Sequence, residues 1–405
     1  MMKIAIFSDI YEPSSDGGIV SAIKAQKAEL EKLGHEVTIF CPGFRTREKN
    51  VVLVPSRKWP RINNTILARK PVEVEAFILE KFPEFREFDI VHVQYEVGCS
   101  IAGIDLAKKF GIPLVITMHG REDRAIELNV PHPFKWLVAT VLNCLHAHYL
   151  PHIIKVKKDK FQAPTRTRAK MWELMVNHAE QADVVTTPSV HFAQKLEHYG
   201  VTKPIVATPG GVAEDLVQID FNERKMADGD VLKMVWNSRV SKEKRIMPFL
   251  KALRQLKRPY MLYVYGNGNQ FKKAKEYAKK NGMKVKFFGA QPRERIIIRM
   301  QEAHLGVHSS YNFDTQGMVL VEAQATGLPV LIADPALTET VPMGGFLLAS
   351  SEDPTGIALT LEGLKAEKVN EMSKIMMKNR RKVLQDERVK ELVKAYKMAE
   401  KTKKK

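Results

Sequence analysis

Two runs of strand–helix alternation, interrupted once, constrain this chain more than any other feature of its sequence. The first run opens with an apolar strand at Lys3–Ser8, then the loop Tyr11–Gly18 and a helix with Val20, Ile23, Leu30 and Leu33 on one face, closed by Gly34. Strands follow at His35–Cys41, Asp89–Val93, Pro113–Met118 and Val184–Thr187, with a helix at Gly103–Phe110. The pattern pauses near Pro209-Gly210-Gly211-Val212 and then resumes. The second run reads as strands at Leu232–Trp236, Tyr260–Tyr265, Lys284–Phe288 and Gly306–Ser309, separated by helices at Met247–Leu256, Gln270–Lys280 and Arg293–Ala303. Such alternation predicts an α/β chain with two parallel sheets and right-handed crossovers. The predicted domains are 1–212 and 213–385, followed by an amphipathic helix over about 386–402 that carries Val389, Leu392, Val393 and Tyr396.

Length agrees, because 405 residues exceed what one core usually supports. The hydrophobic and charged shares, 44% and 27%, are those of a soluble globular protein. No apolar run reaches membrane-spanning length, and the N-terminal strand turns acidic too soon for a signal peptide. Cys41, Cys99 and Cys144 lie far apart without metal-ligand spacing, which suits a reducing compartment and predicts no disulfide framework or zinc site. Net charge is +18, so the surface should attract polyanions. Residues 151–170 carry Lys155, Lys157, Lys158, Lys160, Arg166, Arg168 and Lys170 against Asp159 alone. The lysine-rich C-terminal tail reads as a frayed, solvated end.

Chemistry concentrates where strands end, which is where doubly wound sheets collect ligands. In the segment 312–330, Asp314 lies in a polar loop with Gly317, and Glu322 follows eight residues later. Glu322 sits on the apolar run Met318–Ala323, which reads as the first turns of a buried helix ended by Thr326-Gly327-Leu328-Pro329. A loop opening onto a helix N-terminus suits phosphate or sugar oxygens, with Gln316, Gly317, Met318 and Val319 supplying backbone N–H groups. Two solvated acids in an ordinary loop-helix-strand unit fit the same spacing. Arg239 and Lys244, just after the strand ending at Trp236, are spaced to grip a diphosphate from two sides. Gly17-Gly18 before a helix and Gly266 in a Gly-x-Gly turn are weak signals of the same kind. His119 closes a strand, where a histidine is most often structural. Asp228-Gly229-Asp230 reads as a turn, and the local cluster His146, His148 and His152 lacks a carboxylate or cysteine at ligand spacing.

The segment around Asp314 and Glu322 resembles the donor-binding motif of the retaining GT-B glycosyltransferases of family four, in which two glutamates are separated by seven residues. Here the first is Asp314, one methylene shorter. The resemblance implies two facing Rossmann-like domains with an interdomain cleft and the last helix returning to the first domain. It implies that Asp314 and His119 contact the transferred sugar, that Glu322 binds the ribose, and that Arg239 and Lys244 stabilise the departing diphosphate. Gly17, Gly18 and Gly266 match family glycines on the donor side. Relatives follow the histidine with hydrophobic or tyrosyl residues, whereas this chain has Arg121-Glu122-Asp123-Arg124, making Glu122 and Asp123 candidate base or acceptor contacts. No metal or other cofactor is implied.

The tract Asp314–Glu322 is most similar to that of bacterial diacylglycerol glucosyltransferases, which act at the cytoplasmic leaflet. That similarity implies transfer of a hexose, glucose from UDP-glucose, to a membrane lipid acceptor by a cytoplasmic protein peripheral to the inner face of the cell membrane. An apolar helical stretch from Phe134 through Trp136 to Leu150, leading into Lys155, Lys157 and Lys158, suits an anionic membrane interface. A core helix followed by a solvated loop is the other reading of that stretch. A soluble or polysaccharide acceptor, a GT-B epimerase and a non-enzymatic polyanion-binding protein stay open at this point. Nucleic acid is not the expected partner.

Overall fold

The computed structural model describes residues 1–11, 18–62, 65–214 and 222–403. The chain divides into two compact units, Met1–Pro209 with Gln385–Lys405, and Gly210–Leu384. The division falls three residues before the boundary read from the alternation, at the peptide entering the Gly-Gly pair.

In the first unit the strands are β1 (Lys3–Phe7), β2 (Glu36–Pro42), β3 (Val51–Val54), β4 (Ser56–Ile62), β5 (Thr65–Ala68), β6 (Ile90–Val93), β7 (Leu114–Thr117), β8 (Val184–Thr187) and β9 (Ile205–Ala207). Seven form a parallel sheet in the order β3-β2-β1-β6-β7-β8-β9, while β4 and β5 pair as an antiparallel hairpin. The central strands β6, β7 and β8 are buried along their whole length, as a sheet covered on both faces requires. Phe7, Phe40 and Phe85 pack on one face. On the other, the helix Gln385–Lys403 lays Val389, Leu392, Ala395, Tyr396 and Ala399 against Ile4, Ile6 and Val37. Its Tyr396 hydroxyl lies 2.8 Å from Nδ1 of fully buried His92, so the returning helix is tied to β6 by a polar contact as well as by burial.

The second unit holds β10 (Leu232–Asn237), β11 (Tyr260–Tyr265), β12 (Val285–Gly289), β13 (Leu305–His308), β14 (Val330–Ile332) and β15 (Phe346–Leu348), all parallel in the order β12-β11-β10-β13-β14-β15. Strand order therefore reverses between β1 and β6 in one sheet and between β10 and β13 in the other. Ligands of doubly wound sheets bind at such reversals, outside the carboxyl ends of the strands. Among the described residues, no helix is long and apolar enough to cross a membrane.

Candidate active site

The loops after β10 and β13 flank the reversal point of the second sheet. Arg245, at the end of the first loop, is held in the left-handed region at φ 60°. That conformation is costly for a residue with a side chain and is tolerated where the surroundings fix it. Here the Arg245 guanidinium donates to the Glu352 carbonyl oxygen and the Ser309 hydroxyl donates to the Lys244 carbonyl oxygen, which fixes the turn presenting Lys244. Gly266 approaches the loop from β11. A Cβ there would lie 2.1 Å from the Ser238 carbonyl oxygen, so only glycine lets the two turns close. Gly266 thus sets the position of the Arg239 loop. Arg239 is exposed at that loop.

Asp314 is contacted through both of its oxygens. Its Oδ1 pairs with Lys244 Nζ, and its Oδ2 lies 3.1 Å from His308 Nε2. Burial alone would push this carboxyl up, but the Lys244 charge and the His308 contact win and hold it well below the usual carboxylate range. Glu322, just over one turn into the helix Met318–Ala325, accepts from Asn237 Nδ2 at 3.1 Å and pairs with Arg293 Nη2 at 3.1 Å. Burial dominates at Glu322, and its carboxyl is shifted upward despite Arg293. His308, Asn237 and Arg293 carry no motif of their own in the sequence. Placement at strand ends and at a helix start is the signal that would have found them.

The helix Met318–Ala325 begins at Gly317, whose φ of 76° and missing side chain leave no local cap. A Cβ on Gly317 would meet His308 Nε2 at 2.8 Å, so the glycine also makes room for the ring that supports Asp314. Met318 and Val319 open the helix, placing its uncapped amino end beside Lys244 and Asp314, where an anion is favoured. Gln316 is expected to offer its backbone to the donor, and its side chain is engaged elsewhere. Its side chain is buried and bonded in both directions to Gly210, accepting from its N–H and donating to its carbonyl, each at 2.9 Å. Only its backbone is left for a ligand.

The first unit presents a contrasting set at its own reversal point. Of the glycine pair, Gly17 lies outside the described residues and Gly18 is the first residue of the helix Gly18–Lys32. His119 follows β7, and its Nε2 lies 2.9 Å from Gln94 Oε1. Burial lowers its pKa to about 4, so the ring is neutral at pH 7. Asp9 follows β1 and accepts from the N–H groups of Cys99 (2.6 Å) and Ser100 (3.0 Å), yet burial raises it to about 6. Glu96, after β6, is shifted well upward by burial and by its neighbours Glu122 and Asp9. Glu122 is raised to about 7 by burial and by Asp123. Asp9 and Glu96 were not legible as site residues, because each looks like an ordinary acid in a loop.

Asp123 requires a correction. It is fully buried, takes Nε and Nη2 of Arg121 at 2.8 and 2.9 Å, and pairs with Arg168. The Arg121 guanidinium lies 5.2 Å from the ring centroid of Trp172. Both arginines hold the Asp123 carboxyl low, so it is a structural counter-ion and not a base. The same network removes Arg168 from the basic surface, and Lys155 and Lys170 are engaged by Glu173. Lys157 and Lys158 remain exposed. In the helix Lys135–Tyr149, Leu137, Val141 and Leu145 share an exposed stripe, whereas exposed Trp136 stands off it near the helix start. His146 lies between His152 (2.7 Å) and His178 (3.0 Å), using opposite ring nitrogens, so the three rings form a chain and do not converge on a point; His148 is exposed and apart. Asp230 accepts from the Ala227 N–H at 2.8 Å, as a turn does.

Two family models account for most of the chain. Residues 16–216 match Glycosyltransferase Family 4, and residues 217–383 match Glycosyl transferases group 1. The chain belongs to these glycosyltransferases. It is 23% identical to the alpha-monoglucosyldiacylglycerol synthase of Streptococcus pneumoniae over 380 residues, covering 88% of this chain and 78% of that protein. It is 22% identical to the protein of the same name from Acholeplasma laidlawii over 360 residues, covering 82% and 80%. Among solved structures, HepE of Anabaena in complex with UDP-glucose superposes with a TM-score of 0.65 at 16% identity, over 97% of this chain and 100% of that one. The fold of this glycosyltransferase is GT-B, and family membership sets aside the reading as a non-enzymatic polyanion-binding protein.

Proposed function

We propose that this glycosyltransferase moves glucose from UDP-glucose to a membrane lipid hydroxyl, such as that of diacylglycerol, with retention of configuration and without a metal ion. The arrangement of Lys244, Asp314 and Glu322 around the uncapped helix start carries the proposal. A diphosphate fits between the helix start, Lys244 and exposed Arg239, whose charges would offset the negative charge building on the leaving group. Glu322, braced by Asn237 and Arg293, is spaced to take ribose hydroxyls, and Asp314 to orient the sugar. In a retaining reaction of this kind the new bond forms on the face the diphosphate leaves, and a phosphate oxygen takes the acceptor proton, so no enzyme nucleophile is needed. In the first unit, Glu122 and neutral His119 are suited to hold an uncharged hydroxyl. The lipid acceptor is favoured by the names of the two curated relatives and by the exposed stripe Leu137–Val141–Leu145 leading to Lys157 and Lys158.

The test is transfer by purified protein from UDP-glucose to diacylglycerol in vesicles, with and without anionic lipid, read by mass spectrometry. Glucosyl-diacylglycerol, made faster on anionic vesicles, is the expected result. Hydrolysis of UDP-glucose without lipid product would keep the donor and remove the lipid acceptor. Absence of turnover with UDP-glucose, but turnover with another nucleotide sugar, would remove the assigned donor.

A further inference from the structure

A second broad run of positive charge lies in the second unit. Residues 251–286 hold eleven Lys and Arg side chains against one acid, Glu276, which is more than half of the chain's net +18. The helix Phe271–Lys280 buries Ala274 and Ala278 and leaves Lys272, Lys273, Lys275, Lys279 and Lys280 exposed. Lys284 and Lys286 are exposed at edge strand β12. Lysines on an edge strand discourage pairing with another sheet. Two would serve that purpose, and the other nine cations are unexplained by it.

A cavity of about 540 Å³ opens within this basic surface, at the amino ends of β10 and β11. The donor-side loops leave the opposite ends of the same strands. Its wall is mainly apolar, from Val231, Leu256, Met261 and Met283, and Arg254, Arg258 and Lys284 also line it. Arg258 donates through Nη1 to the carbonyl oxygens of Leu361 (3.0 Å) and Leu364 (2.6 Å), while its buried Nε has no partner among the described residues. The neighbouring acids Asp230 and Glu362 accept from the main-chain N–H groups of Ala227 and Lys257, and among the described residues neither pairs with Arg254, Arg258 or Lys284.

We propose that this cavity binds an anionic membrane lipid, its hydrocarbon against Leu256, Met261 and Met283 and its acidic headgroup against Arg254, Arg258 and Lys284. The volume is that of an ordinary small-molecule site. Apolar wall and cationic rim together match an amphiphile, whereas a nucleic acid backbone would use the charge and leave the apolar wall empty. None of these residues belongs to the sugar-transfer assignment, so the two proposals stand or fall separately.

Dodecyl phosphate is a suitable probe, titrated calorimetrically into the full chain below its micelle concentration. One saturable equivalent is expected, with dodecanol and inorganic phosphate each binding at least tenfold more weakly. Filling the cavity with Met283→Trp, or reversing its rim with Arg254→Glu and Lys284→Glu, should each weaken binding tenfold or more at unchanged thermal melting. Val231→Trp, at a half-exposed position, is the second filling variant should Met283→Trp lower the melting temperature. Undiminished binding in the filled variants, or equal affinity for inorganic phosphate, would overturn the proposal. So would displacement of the probe by a single-stranded oligonucleotide at stoichiometric concentration.

Discussion

The two reversal points treat their carboxylates in opposite ways. After β10 and β13, acids are matched by cations: Asp314 by Lys244, with His308 against its other oxygen, and Glu322 by Arg293. After β1, β6 and β7, Asp9, Glu96 and Glu122 crowd one another, and none has a cation at ion-pair distance among the described residues. The first arrangement keeps charge in place and meets an anion without reorganisation. The second pushes acids toward neutrality, while burial keeps His119 uncharged, and together these suit an uncharged hydroxyl and place a proton acceptor near neutral pH. Family membership fixes only that a sugar is transferred. The contrast suggests which unit handles the charged substrate.

Asp123 is the acid of the first unit that breaks the pattern, and it offers the largest test. Asp123→Ala should destabilise the protein by about 3–5 kcal/mol, because it strands two buried arginines. Chemical denaturation would measure this, and activity per folded molecule should change little. A variant of normal stability but lost activity would return Asp123 to the acceptor site. Lys244→Ala comes next, with a kcat loss on the order of 10²–10³ from the missing charge on the leaving group. Combined with Asp314→Asn it should lose less than the sum of the single losses, since the two side chains act as a pair. Strict additivity in steady-state kinetics would contradict the pairing.

Smaller effects separate holding a ligand from reacting with it. Glu122→Gln should cost about 10²-fold in kcat if this carboxylate takes part in drawing off the hydroxyl proton. Arg293→Ala should raise the donor KM by roughly tenfold with kcat nearly unchanged, because it braces Glu322 and lies away from the bond being made; a charge-assisted hydrogen bond is worth about 1.5–3 kcal/mol. A kcat effect from Arg293→Ala would move Glu322 from ribose binding to the chemistry.

The sequence carried the architecture wherever strands were long and apolar. It missed β3, β4, β5, β9 and β15, short runs that lie outside the strand–helix alternation or carry too little period to read. The spacing of Asp314 and Glu322 was legible because both lie on one loop-helix unit. Their supports were not: Asn237, His308 and Arg293 come from two strand ends and another helix, brought together only by sheet order. Asp123 was misread for a similar reason, since Arg168, forty-five residues away, decides its role. The Gln316 side chain faces Gly210, which is 106 residues distant, a contact that no local spacing announces. Local pattern finds groups that act along the chain and misses partners joined by topology.

The pH dependence of UDP binding and of sugar transfer, measured side by side on the same protein, tests the contrast most directly. UDP affinity should rise only as the nucleotide's own phosphate ionises, near about pH 6, and stay flat above that, because Asp314 is ionised throughout. Transfer should rise with pH through a midpoint near the value of about 7 set for Glu122, and that limb should vanish in Glu122→Gln. A transfer profile that follows UDP binding, with the limb intact in Glu122→Gln, would contradict the division of labour between the two reversal points.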